Sequence, residues 1–303
     1  LCSRHPLSHP MKTLFRTCLF SFTMLAASSL PASAAAPAPA MPPLADQLGL
    51  QLYSVRASFS QDPFATMDMV AGYGIKEVET AGTANMTPQA FRAELEKRGL
   101  RITSSHVQYN QLRDNLDKVV AEVKALGAGY AVVPWIPHEG QFDHAAAEKA
   151  SADFIRWAEA FGKEGIKFGY HPHGYEFGGG KMGDDSPFDR MARATAGKNV
   201  YFEMDVFWVV HGGADPFALL EKYKGRWMGF HVKDIRKGAP VGLTNGRAPA
   251  EDKVVVGTGQ VDWPALIRAA RAQGVKHYYI EDESTEPLRN IPLSLAYLKS
   301  LKL

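Results

Sequence analysis

Eight short runs of apolar and aromatic residues alternate with longer amphipathic stretches from Leu48 to the end of the chain. Read as strands, the runs are Leu48–Tyr53, Ile75–Glu79, Arg101–His106, Tyr130–Pro134, Ile166–His171, Val200–Asp205, Trp227–Val232 and His277–Glu281. The stretches between them carry helix punctuation. Asp62-Pro63, Thr87-Pro88 and Asp215-Pro216 each join a capping side chain to a proline whose φ is already helical, and Gly99, Gly127 and Gly165 stop helices. The spacing predicts helices over 63–72, 87–98, 110–126, 143–164, 186–196, 215–223, 262–273 and 292–301, with a long Gly/Pro-rich loop over 236–259. Such alternation demands a parallel sheet, because a parallel neighbour is reached only by a crossover. Eight units in about 250 residues match a closed barrel. An open doubly wound sheet would want a glycine-rich phosphate turn after its first strand, and Gln51-Leu-Tyr-Ser-Val-Arg56 has no glycine. The expected fold class is α/β, a single-domain (β/α)8 TIM barrel over residues 45–303.

The residues before 45 read differently. Met11-Lys-Thr-Leu-Phe-Arg16 is a basic start, Cys18–Leu30 an apolar segment too short to span a bilayer, and Ala32-Ser-Ala34 a small-x-small cleavage pattern. Residues 11–34 are therefore expected to be a cleaved signal peptide, 1–10 upstream sequence, and 35–44 an Ala/Pro linker. Both cysteines, Cys2 and Cys18, fall before the barrel, so its stability must come from a hydrophobic core rather than disulfides. The expected location is periplasmic or secreted, with no stable membrane insertion after cleavage. The leader holds three of the 34 basic residues, and the rest nearly balance the 32 acidic ones. No basic block is available for phosphate neutralisation, which argues against a nucleic-acid partner.

Four runs in the second half close on metal-binding residue types: Lys167-Phe-Gly-Tyr-His-Pro-His-Gly-Tyr-Glu176, Val200-Tyr-Phe-Glu-Met-Asp205, Met228-Gly-Phe-His231 and His277-Tyr-Tyr-Ile-Glu281. In a barrel the C-terminal strand ends share one face, where chemistry occurs. Alternate residues face the lumen, so His171 shares a face with His173, Glu203 with Asp205, His231 with Lys233, and Glu281 with Glu283. Carboxylates and imidazoles without thiolates suit one divalent ion: Mn2+, Mg2+, Co2+ or Zn2+. Such an ion grips the adjacent oxygens of a hydroxy-ketone while a carboxylate moves a proton from carbon.

The runs Tyr170-His-Pro-His-Gly-Tyr-Glu-Phe177, Glu203-Met-Asp-Val-Phe-Trp208, Phe230-His-Val-Lys-Asp234, Gly257-Thr-Gly-Gln-Val-Asp-Trp263 and Tyr279-Ile-Glu281 resemble the sugar phosphate isomerase/epimerase superfamily, the xylose isomerase-like TIM barrels. Leu48-Gly-Leu-Gln-Leu-Tyr-Ser-Val-Arg56 and Gly74-Ile-Lys-Glu-Val-Glu79 extend the resemblance over roughly 48–300. The resemblance implies one ion held by Glu, Asp, His and Glu from strands five to eight. Asp205, His231 and Glu281 match three of these, but His171 stands where many members carry Glu. The fourth ligand is read as Glu176 folding back into the site, with His171 as the alternative. Glu281, Glu176, His171 and Lys233 are the expected catalytic groups, Lys233 holding a carbonyl or enolate oxygen or pairing with Glu203 or Glu283. His106, Trp135, His173, Trp208, Gln51, Tyr53 and Glu79 are the expected sugar contacts. Trp157 and Phe161, at helical spacing, are expected in the core.

The expected activity is isomerisation, epimerisation or lyase cleavage of a non-phosphorylated sugar or keto-sugar, a 3-keto-glycoside among them, through a metal-stabilised enediolate. The strand-five departure weakens a two-base epimerase and favours a lyase or one-base isomerase. A non-catalytic periplasmic sugar-binding barrel is the alternative. An AP-endonuclease-type hydrolase, which shares the fold, is opposed by the charge balance. Homo-oligomers are common in the superfamily, and loop 236–259 is a possible interface.

Overall fold

The computed structural model describes residues 42–178 and 184–303. Eight parallel strands close on themselves: β1 Leu48–Gln51, β2 Glu77–Thr80, β3 Arg101–His106, β4 Tyr130–Val133, β5 Lys167–Tyr170, β6 Val200–Asp205, β7 Trp227–Val232 and β8 His277–Ile280. The ring closes where Leu48, Gly49 and Leu50 of β1 stand opposite Tyr278, Tyr279 and Ile280 of β8. The expected (β/α)8 barrel is the observed one. The signal-peptide and upstream readings, and most of the 35–44 linker, lie outside the described residues. No helix among the described residues is long and apolar enough to cross a membrane.

The helix punctuation works as the sequence implies. Asp62 accepts from the N–H groups of Phe64 and Ala65 at 3.0 Å, Thr87 from Ala90 at 3.2 Å, Asp143 from Ala146 at 2.8 Å and Asp262 from Ala265 at 3.1 Å. Each contact satisfies a donor that the helix itself leaves open. Outward strand residues Phe168, Tyr170, Phe202 and Tyr278 pack under helix residues including Phe154, Trp157 and Phe161, all fully buried. Burial of each large side chain contributes about 1.5–3 kcal/mol. Inside the barrel, Gly49 makes room for Tyr279: a Cβ there would lie 2.8 Å from its ring.

Four boundaries depart from expectation. β1 ends at Gln51, because the Gln51 side chain accepts from Tyr53 N–H at 2.9 Å and starts a 3-10 turn over Leu52–Val55. Helix Arg56–Gln61 continues from that turn, and helix Val206–His211 follows β6 directly. The last helix runs Pro287–Ser300, starting at Pro287 and carrying Pro292 inside it. At the start of the long loop, Ile235 and Asp234 pair antiparallel with Lys253 and Val254 inside it.

Candidate active site

The strand ends deliver a buried cluster of acids and imidazoles. Its hub is His231 at the end of β7. Its Nε2 lies 2.7 Å from Glu79 and 3.0 Å from Glu203, and its Nδ1 lies 3.1 Å from Glu281. His106, on β3, reaches Glu79 and Glu203 at 3.1 Å each. His171 sets Nδ1 3.1 Å from Glu203 and Nε2 3.6 Å from Asp205. Gln51 and Ser104 donate to Glu79 at 2.6 and 2.5 Å. Lys233 lies 3.1 Å from Glu281 and 3.6 Å from Asp205, and also bonds Glu283.

Burial alone would neutralise these groups; their neighbours decide otherwise. Burial pulls His231 down, but Glu203, Glu281 and Glu79 outweigh it and hold the imidazolium well above its usual range. His106 is likewise carried against burial by Glu79 and Glu203, to about 9. Burial and the His231 charge keep His171 well below its usual value, and burial and Lys233 take His173 to about 4. Glu281 is pushed up by burial and pulled well down by Lys233 and His231. Lys233 is raised against burial by Glu281, Glu283 and Asp205, so it is a fixed cation. Asp205 behaves differently: burial, opposed by Lys233 and reinforced by Glu281, pushes it up to about 7.

Asp205 also carries a divided carboxylate. Oδ1 caps the helix Val206–His211 by accepting from Trp208 N–H at 3.1 Å. Oδ2 is buried with no hydrogen-bond partner among the described residues, as is Glu203 Oε1. A buried carboxylate oxygen left without a donor is costly. Asp205, His231 and Glu281 each offer one ligand atom, mutually within 4.8 Å, and His106, His171, Glu203 and His231 form an overlapping set. A buried acid oxygen without a hydrogen bond, within 4.8 Å of further N and O ligand atoms, fits a divalent ion.

A cavity of about 280 Å³ opens above this cluster, lined by Tyr53, His106, Trp135, His171, His173 and Glu281, with Gln108 and Glu283 at its wall. The structure thus brings most expected site residues together. It does not bring Glu176 there. Oε1 of Glu176 accepts from the Tyr170 hydroxyl, and both oxygens accept from His173 N–H at 3.0 and 3.2 Å. Tyr170 packs on Phe154 of the helix His144–Lys163, so Glu176 sits in the layer between barrel and helices, away from the lumen. The turn that sends it there passes through Gly174 at φ 89°. His171, beside Asp205, is the β5 residue at the cluster.

Trp208 is nearly buried, packed on His173 at 5.3 Å with the Lys233 ammonium over its ring, and does not line the cavity. Gln51 and Glu79 stand behind the cavity as partners of His231 and His106. Lys233 stands behind it too and orients Glu281 and Glu283, so of the roles read for it the geometry shows the ion pair with Glu283. Sequence reasoning gave no site role to Gln108, and left Glu203 as a Lys233 partner rather than a ligand. The period-two spacing from His106 to Gln108 and from Glu203 to Asp205 was the available signal.

A parallel eight-stranded barrel with an acid and imidazole cluster at its C-terminal mouth defines an enzyme-like class of TIM barrel. Residues 67–301 match the family model described as xylose isomerase-like TIM barrel, and the chain belongs to that family. Among solved structures, it is similar to a sugar phosphate isomerase/epimerase from Parabacteroides distasonis, with TM-score 0.67 and 24% identity over 88% of this chain and 96% of that one. It is also similar to an IolI protein with a bound zinc atom, with TM-score 0.63 and 12% identity over 84% and 96% of the two chains. An L-ribulose 3-epimerase gives TM-score 0.60 and 11% identity over 83% and 92%. These likenesses establish the fold. A search of curated proteins finds no match.

Proposed function

We propose that this protein is a divalent-metal-dependent isomerase, epimerase or lyase acting on a non-phosphorylated sugar or keto-sugar, exported by the leader at 11–34. The reading rests on one observation: Asp205, His231 and Glu281 converge at the ends of adjacent strands, with Asp205 Oδ2 buried and making no hydrogen bond among the described residues. These three would hold the ion, the His231 imidazolium giving up a proton as it binds, with His171 as the neighbouring fourth donor. A bound divalent ion supplies electrophilic polarisation of a carbonyl and its adjacent hydroxyl.

The chain's own residues do the rest. Glu281 and Glu283 line one wall, ionised and oriented by Lys233, and would take a proton from a substrate carbon. His106 faces the same cavity as a cation able to donate to an oxygen. Tyr53 and Trp135 give ring faces for the apolar side of a sugar. At the β5 end stand His171 and His173, neutral imidazoles rather than a second carboxylate. This asymmetry supports one-base chemistry over a two-carboxylate epimerase. The lining includes two carboxylates and no Lys or Arg, which disfavours a phosphoryl group. IolI with zinc and L-ribulose 3-epimerase, on the same fold, support the metal and the sugar respectively.

The test combines metal content with proton exchange. About one ion per chain is expected in the purified protein and in neither Asp205→Ala nor Glu281→Ala. The loaded protein is expected to exchange a carbon-bound proton of a keto-sugar with deuterium oxide. Bound metal without exchange across keto-sugars would favour a sugar-binding barrel instead. Absence of bound metal, and of affinity for added Mn2+ or Zn2+, would remove the mechanism.

A further inference from the structure

A second cavity, of about 480 Å³, lies beside the first, lined by residues that include Leu52, Arg56, Phe59, Ser60, Asn85 and Phe91. The two share Ala81, and Tyr53, on the wall of the smaller, sits in sequence between Leu52 and the Arg56 side of the larger. The structure therefore has two neighbouring chambers at the C-terminal mouth, and the metal-binding cluster faces only one.

The larger chamber has the makings of a binding site. Leu52, Phe59 and Phe91 supply an apolar floor. Arg56 lays its guanidinium 4.1 Å from the centre of the Tyr53 ring and donates to Tyr53 O at 2.8 Å. It has no carboxylate partner among the described residues, so donors remain for a ligand. The opposite wall is the turn Thr83–Met86, closed by Met86 N–H donating to Thr83 O at 2.9 Å. Its two central residues, Ala84 and Asn85, hold φ of 49° and 62°, a left-handed pair formed without glycine. Non-glycine residues rarely adopt this conformation, and such strain collects where a loop shape serves binding. An apolar floor with hydroxyl, amide and guanidinium groups around it matches the amphipathic surface of a ring bearing hydroxyls.

Resting on the sugar reading above, we propose that this chamber is a subsite for the second ring of a two-ring glycoside, whose first ring occupies the cavity over His171. The ring joined through the glycosidic oxygen, a second sugar or an aryl group, lies past Tyr53 against Phe59 and Arg56. The protein accordingly selects glycosides over free monosaccharides.

The experiment is calorimetric titration of the Mn2+-loaded protein with methyl glucoside, p-nitrophenyl glucoside, cellobiose and maltose. Two variants accompany it: Ser60→Trp, which fills the chamber from an exposed helical position, and Phe59→Ala, which removes part of its apolar floor. At least one two-ring compound is expected to bind about tenfold or more tightly than the methyl glucoside, and both variants are expected to lose most of that factor while binding the methyl glucoside unchanged. The aryl glucoside against the disaccharides tells which kind of second ring is preferred. Equal affinity for one-ring and two-ring compounds, or equal weakening of both by the variants, overturns the subsite and leaves the sugar reading standing. Binding of none of them overturns the subsite, and the sugar reading falls with it where the loaded protein also exchanges no carbon-bound proton of a keto-sugar.

Discussion

Glu176 and Asp205 are both buried acids pushed up to about 7, and they differ in what surrounds them. Asp205 has an oxygen without a hydrogen bond beside imidazole and carboxylate groups; Glu176 is fully engaged by Tyr170 and the His173 N–H. Burial is the main cause of the Glu176 shift, with hydrogen bonds pulling the other way. Its folded value lies above its ordinary 4.5, so the folded chain binds the extra proton between those two values. Stability from this group is full below about 4.5 and declines as pH rises towards 7. At 1.36 kcal/mol per unit the decline amounts to roughly 3 kcal/mol. Glu176→Gln keeps an acceptor for Tyr170 and cannot ionise. The expected result is a wild-type stability that falls against the variant between pH 5 and 8 in denaturant melts, with unchanged metal content. Parallel pH curves, or loss of metal, would return Glu176 to the ligand role. The sequence left His171 and Glu176 as alternatives because both follow β5 closely. The backbone turn at Gly174 that separates them is set by packing around Tyr170 and Tyr175.

At the scale of elements, the helix starts were legible because capping is local chemistry. Ser186 is the fullest case. Its hydroxyl accepts from Asp189 N–H at 3.2 Å, and Asp189 accepts from Ser186 N–H at 3.0 Å, a reciprocal box at the start of Pro187–Ala194. Asp189 also takes Lys222 at 2.9 Å and the Tyr223 hydroxyl, tying this helix to the end of helix Pro216–Lys222. Ser186→Ala is expected to cost about 1–2 kcal/mol, since a buried cap is removed and Asp189 loses a donor. For a domain of this size that lowers the melting temperature by roughly 3–6 °C, read by calorimetry. A change within about 1 °C would mean that the other Asp189 contacts hold the helix start unaided. The helix Val206–His211 was not legible. Val-Phe-Trp-Val-Val is apolar on every side and reads as strand continuation; only the Asp205 cap, serving the helix with one oxygen and the site with the other, turns it.

The whole molecule was legible as an alternation, and so were the polar residues facing its lumen, but their pairings were not, because lumen partners are far apart in sequence. Glu79 and His231 are separated by 152 positions, and Glu77 and His277 by 200. The second pair braces the N-terminal end of the barrel, with Glu77 accepting from His277 at 2.7 Å and paired with Arg101. Burial raises Glu77, but His277 and Arg101 together hold it below its ordinary value. Its stabilisation is therefore present above the unfolded carboxylate value and is lost as pH falls through the lower folded one. Glu77→Gln is expected to be less stable than wild type at pH 7, the two curves converging below about pH 4 in acid-unfolding experiments. The active-site end makes the opposite demand, since there the acids crowd together and Asp205 Oδ2 lacks a donor. An ion that binds only the folded barrel adds about 2.7 kcal/mol at one hundred times its dissociation constant. That corresponds to roughly 5–10 °C in melting temperature. The same crowding means that Asp205→Asn, which removes one buried charge, is expected to melt no lower than metal-free wild type. Added Mn2+ or Zn2+ should then raise the wild-type midpoint, leave the Asp205→Asn midpoint where it was, and raise that of Glu176→Gln as in wild type. A wild-type midpoint that added Mn2+ or Zn2+ leaves unmoved, with a metal-free Asp205→Asn protein melting well below metal-free wild type, would mean that Asp205 serves its cap and Lys233 as a structural ion pair, and the case for an ion at the mouth would fail.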